Sequence, residues 1–106
     1  MSNWEERQAA EERLESFFDR HSKEYLKFER IENKRSTRPD LHAFLLLEEL
    51  APAEKEGQDM VCAAEHDIIY LVSNLSLVAK NATDEQLLEL HRCGVMISEE
   101  SLAMFA

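Results

Sequence analysis

Cys62 and His66 stand four residues apart, and after 24 intervening residues His91 and Cys93 stand two apart. Two thiolates and two imidazoles satisfy a tetrahedral zinc ion, so Cys62, His66, His91 and Cys93 form the candidate metal set. Their spacing is that of no familiar zinc module. The expected role is therefore structural, with small thiols filling core gaps and imidazoles making hydrogen bonds, and neither a metal nor a cofactor is expected. His66-Asp67, with His42 and Asp84 as further ligands, would suit a metal that polarises a phosphate. The doublet instead opens the stretch Ile68-Ile69-Tyr70-Leu71-Val72 and reads as a strand start. Tyr70 beside His66 and Asp67 could exchange protons near neutral pH, but nothing in the pattern supplies a nucleophile or an oxyanion site next to them. With only Gly57 and Gly94 in the chain there is no phosphate-cradling loop, and neither a G-x-S-x-G elbow nor a C-x-x-C pair occurs. The residue types point away from catalysis.

Charge offers a different kind of chemistry. Asp and Glu number 22 against 12 Lys and Arg, a net charge of -10, and residues 41–106 carry most of the excess. Such a field repels a phosphate backbone and attracts a basic protein surface, in a manner that weakens with salt. Direct nucleic-acid binding is not expected; a protein partner with a basic surface is. The candidate partner-binding residues are the aromatics Trp4, Phe17 and Tyr25, the isolated basic group Lys34, Arg35 and Arg38, and the acidic run Glu48, Glu49, Glu54, Glu56 and Asp59. Lys34 and Arg35 also sit where positive charge would complement the end of a first helix. Two alternatives stand beside partner binding. One is an acidic mimic of nucleic acid, which needs carboxylates aligned along one face; the other is a zinc-stabilised domain or small metal-dependent enzyme.

The elements that must position these residues follow from periodicity. Leu14, Phe17, Phe18, His21, Tyr25 and Phe28 recur at steps of three and four, predicting one amphipathic helix from Asn3 to about Glu32. Such a helix outreaches so small a core, and pairing of two copies through it is a possible homodimer. Pro39, preceded by Thr37 with Asp40 three residues on, opens a second helix over 39–51, whose Leu41, Phe44, Leu45, Leu46, Leu47 and Leu50 leave a narrow polar side. That helix is expected to be nearly surrounded by protein and to cover the sheet. Residues 53–59 read as a polar loop, and 60–65 as a short helix or an irregular approach. A strand is expected at 67–73, then a short helix capped by Ser73 or Asn74, then another opened by Thr83 and Gln86 and closed at Gly94. Residues 95–97 and 102–105 complete a β-hairpin.

The fold class is α+β: a long N-terminal helix and a second core helix on a three-stranded antiparallel sheet, with two short helices inserted, in a single domain over 1–106. No apolar run approaches the roughly 18 residues of a membrane span, and Met1-Ser2-Asn3-Trp4-Glu5-Glu6 lacks the order of a signal peptide, so a cytoplasmic protein without membrane attachment is expected. From His66 to Phe105 the chain, with His66-Asp67-x-Ile69-Tyr70-Leu71, Arg92-Cys93-Gly94-Val95 and Ser101-Leu102-Ala103-Met104-Phe105, resembles small uncharacterised proteins encoded by bacteriophages and prophages. The resemblance covers about two-fifths of the chain and implies a setting rather than an activity. In that setting, small acidic phage products bind and block host machinery, including defence and nucleic-acid-handling complexes.

Overall fold

Ala10, Leu14, Phe17 and Phe18 turn toward one buried side of helix α1 (Asn3–Arg20). The computed structural model describes residues 3–53, 56–65, 67–71, 74–98 and 101–105. The helix stops at Arg20 and does not run to Glu32 as the periodicity predicts. In its place the chain makes two 3₁₀ turns, Ser22–Glu24 and Phe28–Arg30, with Leu26 in the left-handed region at φ 63°. Dimensions supply the reason. The protein measures 40 Å along its longest axis, whereas a straight helix of 30 residues would be about 45 Å long and would carry Tyr25, Phe28 and Ile31 off the core. Folding back half-buries Tyr25 and Phe28 and buries Ile31. Fully burying one large apolar side chain stabilises by about 1.5–3 kcal/mol, against about 0.5–1.5 for each helical hydrogen bond given up. The 3₁₀ turns recover several of those bonds, such as Glu24 N–H to His21 O at 2.9 Å and Arg30 N–H to Lys27 O at 3.0 Å.

Helix α2 (Pro39–Leu50) begins with Pro39 in its first turn, where a missing N–H costs nothing. The residue preceding the helix is Arg38, not Thr37. No side chain caps the start, and Asp40 accepts instead from Leu41 N–H at 2.9 Å. Ala43, Leu46, Leu47 and Leu50 are buried, but Leu41 and Leu45 are each 43% exposed, so the helix is one-sided rather than surrounded. It packs on helices α3 (Leu75–Asn81) and α4 (Asp84–Arg92), while α1 lies along α3 and also meets α4 and a strand of the sheet. Both helices are buried on one side: α2 is the core helix expected, with His42, Ala43, Leu46, Leu47 and Leu50 turned inward, and α1 additionally meets the strand Met96–Ser98 of the sheet.

The sheet is antiparallel, with β1 (Val61–Glu65), β2 (Ile68–Leu71), β3 (Met96–Ser98) and β4 (Ser101–Phe105) in the order β1-β2-β4-β3. The three expected strands are present. The fourth, β1, occupies the segment read as a helix or irregular approach; its register shifts between Val61 and Ala63, leaving Cys62 as the extra residue of a bulge. Ile69 pairs with Met104, and Leu71 with Leu102, on the face turned to the core. Tyr70 pairs with Ala103 on the opposite face, as does Ile68 with Phe105, which is 58% exposed.

Local signals hold for the inserted helices. Asn74 Oδ1 accepts from Leu77 N–H, and Thr83 and Gln86 form a reciprocal capping box. Gly94 (φ 98°) ends α4, with Gly94 N–H to His91 O and Val95 N–H to Leu90 O, both 3.0 Å. The buried apolar side chains form one continuous cluster in which α1, α2, α3, α4 and the sheet all take part.

Truncating Leu47 to Ala is expected to cost about 2–5 kcal/mol, and truncating Leu45, on the open side of the same helix, less than about 1. Urea unfolding of the two variants checks the assignment, since equal losses would contradict the one-sided burial of α2.

Candidate functional site

An open groove of about 360 Å³ lies where α1, the first 3₁₀ turn, the end of α4 and β3 meet; it is lined by Glu15, Phe18, Asp19, Ser22, Tyr25, His91, Met96 and Ile97. Phe18 and His91 stack with ring centres 4.7 Å apart at 10°, and Tyr25 tilts against the same imidazole at 5.2 Å. His91 is 5% exposed, and its Nδ1 lies 2.9 Å from the carbonyl oxygen of Val95. Only an N–H can serve that carbonyl, so Nδ1 bears the proton and Nε2 presents a lone pair. Burial pushes the pKa of His91 down, opposed by the bond to Val95, with His21 lowering it further and Asp19 raising it. Near neutral pH the ring is uncharged. Among the described residues Nε2 is nevertheless without a hydrogen-bond partner, as are the Tyr25 hydroxyl, whose own pKa burial raises, and, outside the groove lining, His42 Nε2 and Arg13 Nη1. Two unpaired polar atoms in one groove, shut off from solvent, are an expensive arrangement for a chain to keep without use.

A second buried imidazole is structural. His42, in α2, accepts from the Arg35 backbone N–H at 3.0 Å through Nδ1 and turns its protonated Nε2 toward Glu89 Oε1, 3.6 Å away in α4. Burial lowers its pKa, with the Glu89 carboxylate working the other way. Phe28 meets the ring edge-on. His42, fully buried, thereby ties the basic segment and the second 3₁₀ turn to α2 and α4.

The sequence candidates separate on inspection. Phe17 is buried at 4% exposure and packs edge-on against Phe18, so it belongs to the core and offers nothing to a partner. Tyr25 lines the groove. The Trp4 side chain, the Cys62 side chain, His66 and Glu54 lie outside the described residues. Lys34 donates to Ile31 O at 2.7 Å and lies over the Phe28 ring, so it closes the second 3₁₀ turn and not α1, which ended fourteen residues earlier at Arg20. Arg35 pairs with Glu49, and Glu48 accepts from Ala53 N–H at 3.2 Å beyond the end of α2. Arg38, Glu56 and Asp59 are exposed. The basic group and the acidic run thus partly neutralise each other within the chain.

Of the zinc set, Cys93 is buried, and its thiol is pushed up to about 12 by burial, with the Glu89 and Asp40 carboxylates adding to the effect. It is held as a protonated core thiol. Among the described residues no three metal-ligating side chains gather. Glu15, Asp19, Phe18, Met96 and Ile97 were not marked by their spacing, because a helix's charged positions and a hairpin's apolar ones look alike whether or not a groove forms between them. The four-residue step from Glu15 to Asp19, straddling Phe18, was the one available signal.

No described helix is long and apolar enough to cross a membrane. Compared with family models, with curated proteins and with solved structures, the chain matches none.

Both buried histidines have pKa values below the ordinary 6.5, so acid favours the unfolded chain, which binds those protons more readily. Their stabilisation is complete above about pH 6.5 and is lost as pH falls toward the lowered values. The urea midpoint is expected to fall between about pH 7.5 and pH 5.5, a window above the carboxylate range in which Glu24, pulled down by Arg92 and Arg30, would add its own loss. A flat midpoint across that window would contradict neutral burial of the two rings.

Proposed function

We propose that the protein works by binding a protein partner with a basic surface and catalyses no reaction. The observation that carries this reading is the groove's composition: an aromatic floor, two acceptors without donors, and the carboxylates of Glu15 and Asp19 on its border, neither of which makes an ion pair among the described residues. Elsewhere four arginines are engaged. Arg30 and Arg92 hold Glu24, Arg35 holds Glu49, and Arg13 approaches Asp84 at 3.8 Å. These pairs occupy four of the twelve Lys and Arg residues, and the chain as a whole carries a net charge of -10. His91 has one nitrogen committed to Val95 and Cys93 is held as a thiol, which favours recognition over acid–base or thiolate chemistry. The resemblance of residues 66–105 to small bacteriophage and prophage proteins supports the setting we propose with it, an accessory product that occupies a basic surface of host machinery. A cytoplasmic location belongs to the same proposal. Homodimerisation through the first helix loses its motive, because the stripe that would form the seam is buried within one chain.

Affinity capture on the immobilised full chain from bacterial lysate, with and without phage infection, is expected to retain a specific basic protein at low salt. Its affinity should fall roughly tenfold or more between about 50 and 300 mM salt as screening shortens the reach of the carboxylates. Recovery of no specific protein under either condition would sink the proposal.

A further inference from the structure

The groove's chemistry selects its occupant more narrowly than net charge does. His91 Nε2 and the Tyr25 hydroxyl are both deprived of a partner, and His91 Nε2 accepts only. Whatever enters must bring N–H or O–H donors. Glu15 and Asp19 on the border require it to be positive or at least not negative, which rules against phosphates and carboxylates. Phe18 and His91 are stacked on each other and buried, so the half-buried Tyr25 is the ring of the three most open to the groove, and the planar fork of a guanidinium serves two acceptors at once better than a compact, strongly hydrated ammonium. At about 360 Å³ the space lies near the lower end of the range of roughly 300–1,000 Å³ found for small-ligand sites, suited to one long side chain and little more.

We propose that this groove receives an arginine side chain from the basic partner: its guanidinium donates, in the plane of the rings, to His91 Nε2 and the Tyr25 hydroxyl, and is neutralised by Glu15 and Asp19. The proposal rests on the partner-binding reading and names the anchor within it. A histidine kept neutral by burial retains the acceptor that the guanidinium needs. Both acceptors are closed to solvent, so the Tyr25 ring must swing as the arginine enters. Tyr25 is placed for that movement, since it follows a 3₁₀ turn and precedes the strained Leu26, whose N–H reaches His91 O at a long 3.3 Å. The same carbonyl already accepts from Gly94 N–H, so α4 keeps its end when that contact loosens.

The test uses the full chain, ¹⁵N-labelled, titrated with a capped tetra-arginine peptide and separately with a capped tetra-lysine peptide. The arginine peptide is expected to shift the amides of residues 15–25, 91 and 96–97 and to move the His91 Nε2 resonance, which reads hydrogen bonding at that atom directly. Glu15→Gln combined with Asp19→Asn should weaken binding about tenfold. Glu56→Gln combined with Asp59→Asn should leave it within about twofold. Tyr25→Phe removes an unpaired hydroxyl and should reduce affinity severalfold without lowering the melting temperature. The groove assignment is overturned if shifts spread evenly over the acidic surface, if tetra-lysine binds as well, if the His91 Nε2 resonance stays in place, or if Tyr25→Phe destabilises the free protein and so reveals a structural hydroxyl. Any of these would leave the wider reading intact when capture still retains a basic protein, whereas failed capture overturns that reading even if the peptide binds.

Discussion

His91 Nδ1–H donates to Val95 O across the turn at Gly94, and this 2.9 Å bond fixes where the imidazole stands. The ring position then decides what its neighbours can do. With Nδ1 tied to the start of β3, one face of the ring is free to stack on Phe18 of α1 and Tyr25 can close over it, so a single side chain joins the N-terminal helix, the 3₁₀ segment, α4 and the sheet. The turn itself depends on Gly94. Its φ of 98° is costly for a residue with a Cβ, and a Cβ there would stand 2.8 Å from Leu26 Cδ2. Leu26 in turn reaches back to the last turn of α4 through its backbone N–H. Helix end, strand start and returning segment are one mechanical unit, and the groove is the space left on its outer side.

Charge is organised around the same unit. Glu24 accepts from Arg30 at 2.7 Å and Arg92 at 3.1 Å, which clamps the returning segment to α4. The pair is partly exposed, and its worth lies in fixing position more than in stability. His42, reaching from α2 toward Glu89, fastens the next layer of the chain to the same helix. These arrangements engage Glu24 and Glu89 in bracing α4, while the field outside the protein follows from the excess of 22 acidic over 12 basic side chains.

The legibility of the sequence varied with the range of the forces involved. Thr83 with Gln86, Asn74 before Leu75, Pro39 at a helix start and Gly94 at a helix end act within three or four residues, and each does in the fold what its position foretells. The hairpin of β3 and β4 was legible for the same reason, and its pairing with β2 followed from the need of short apolar segments to satisfy their backbone groups by pairing. β1 was not. Cys62-Ala63-Ala64 lacks the β-branched and aromatic residues that announce a strand, and the segment is extended because β2 offers it a partner, with a bulge absorbing the mismatch. The candidate site fared similarly. Tyr25 and His91 were singled out, but for different chemistries and apart from one another; nothing local to either shows that they would meet over Phe18.

By itself, the sequence determined the α+β class, the caps and breaks of the short elements and the acidic excess, since each follows from propensity, periodicity or composition. Tertiary structure alone decided that α1 ends at Arg20, that α1 meets β3 of the sheet, and that Glu15, Asp19, Tyr25 and His91 border one groove. The apolar stripe from Leu14 to Ile31 satisfies a helical period along its whole length, but a domain 40 Å long offers cover for only part of a straight helix. Where the core runs out, burial of the remaining aromatics outweighs local helix preference, and the chain turns back over α4.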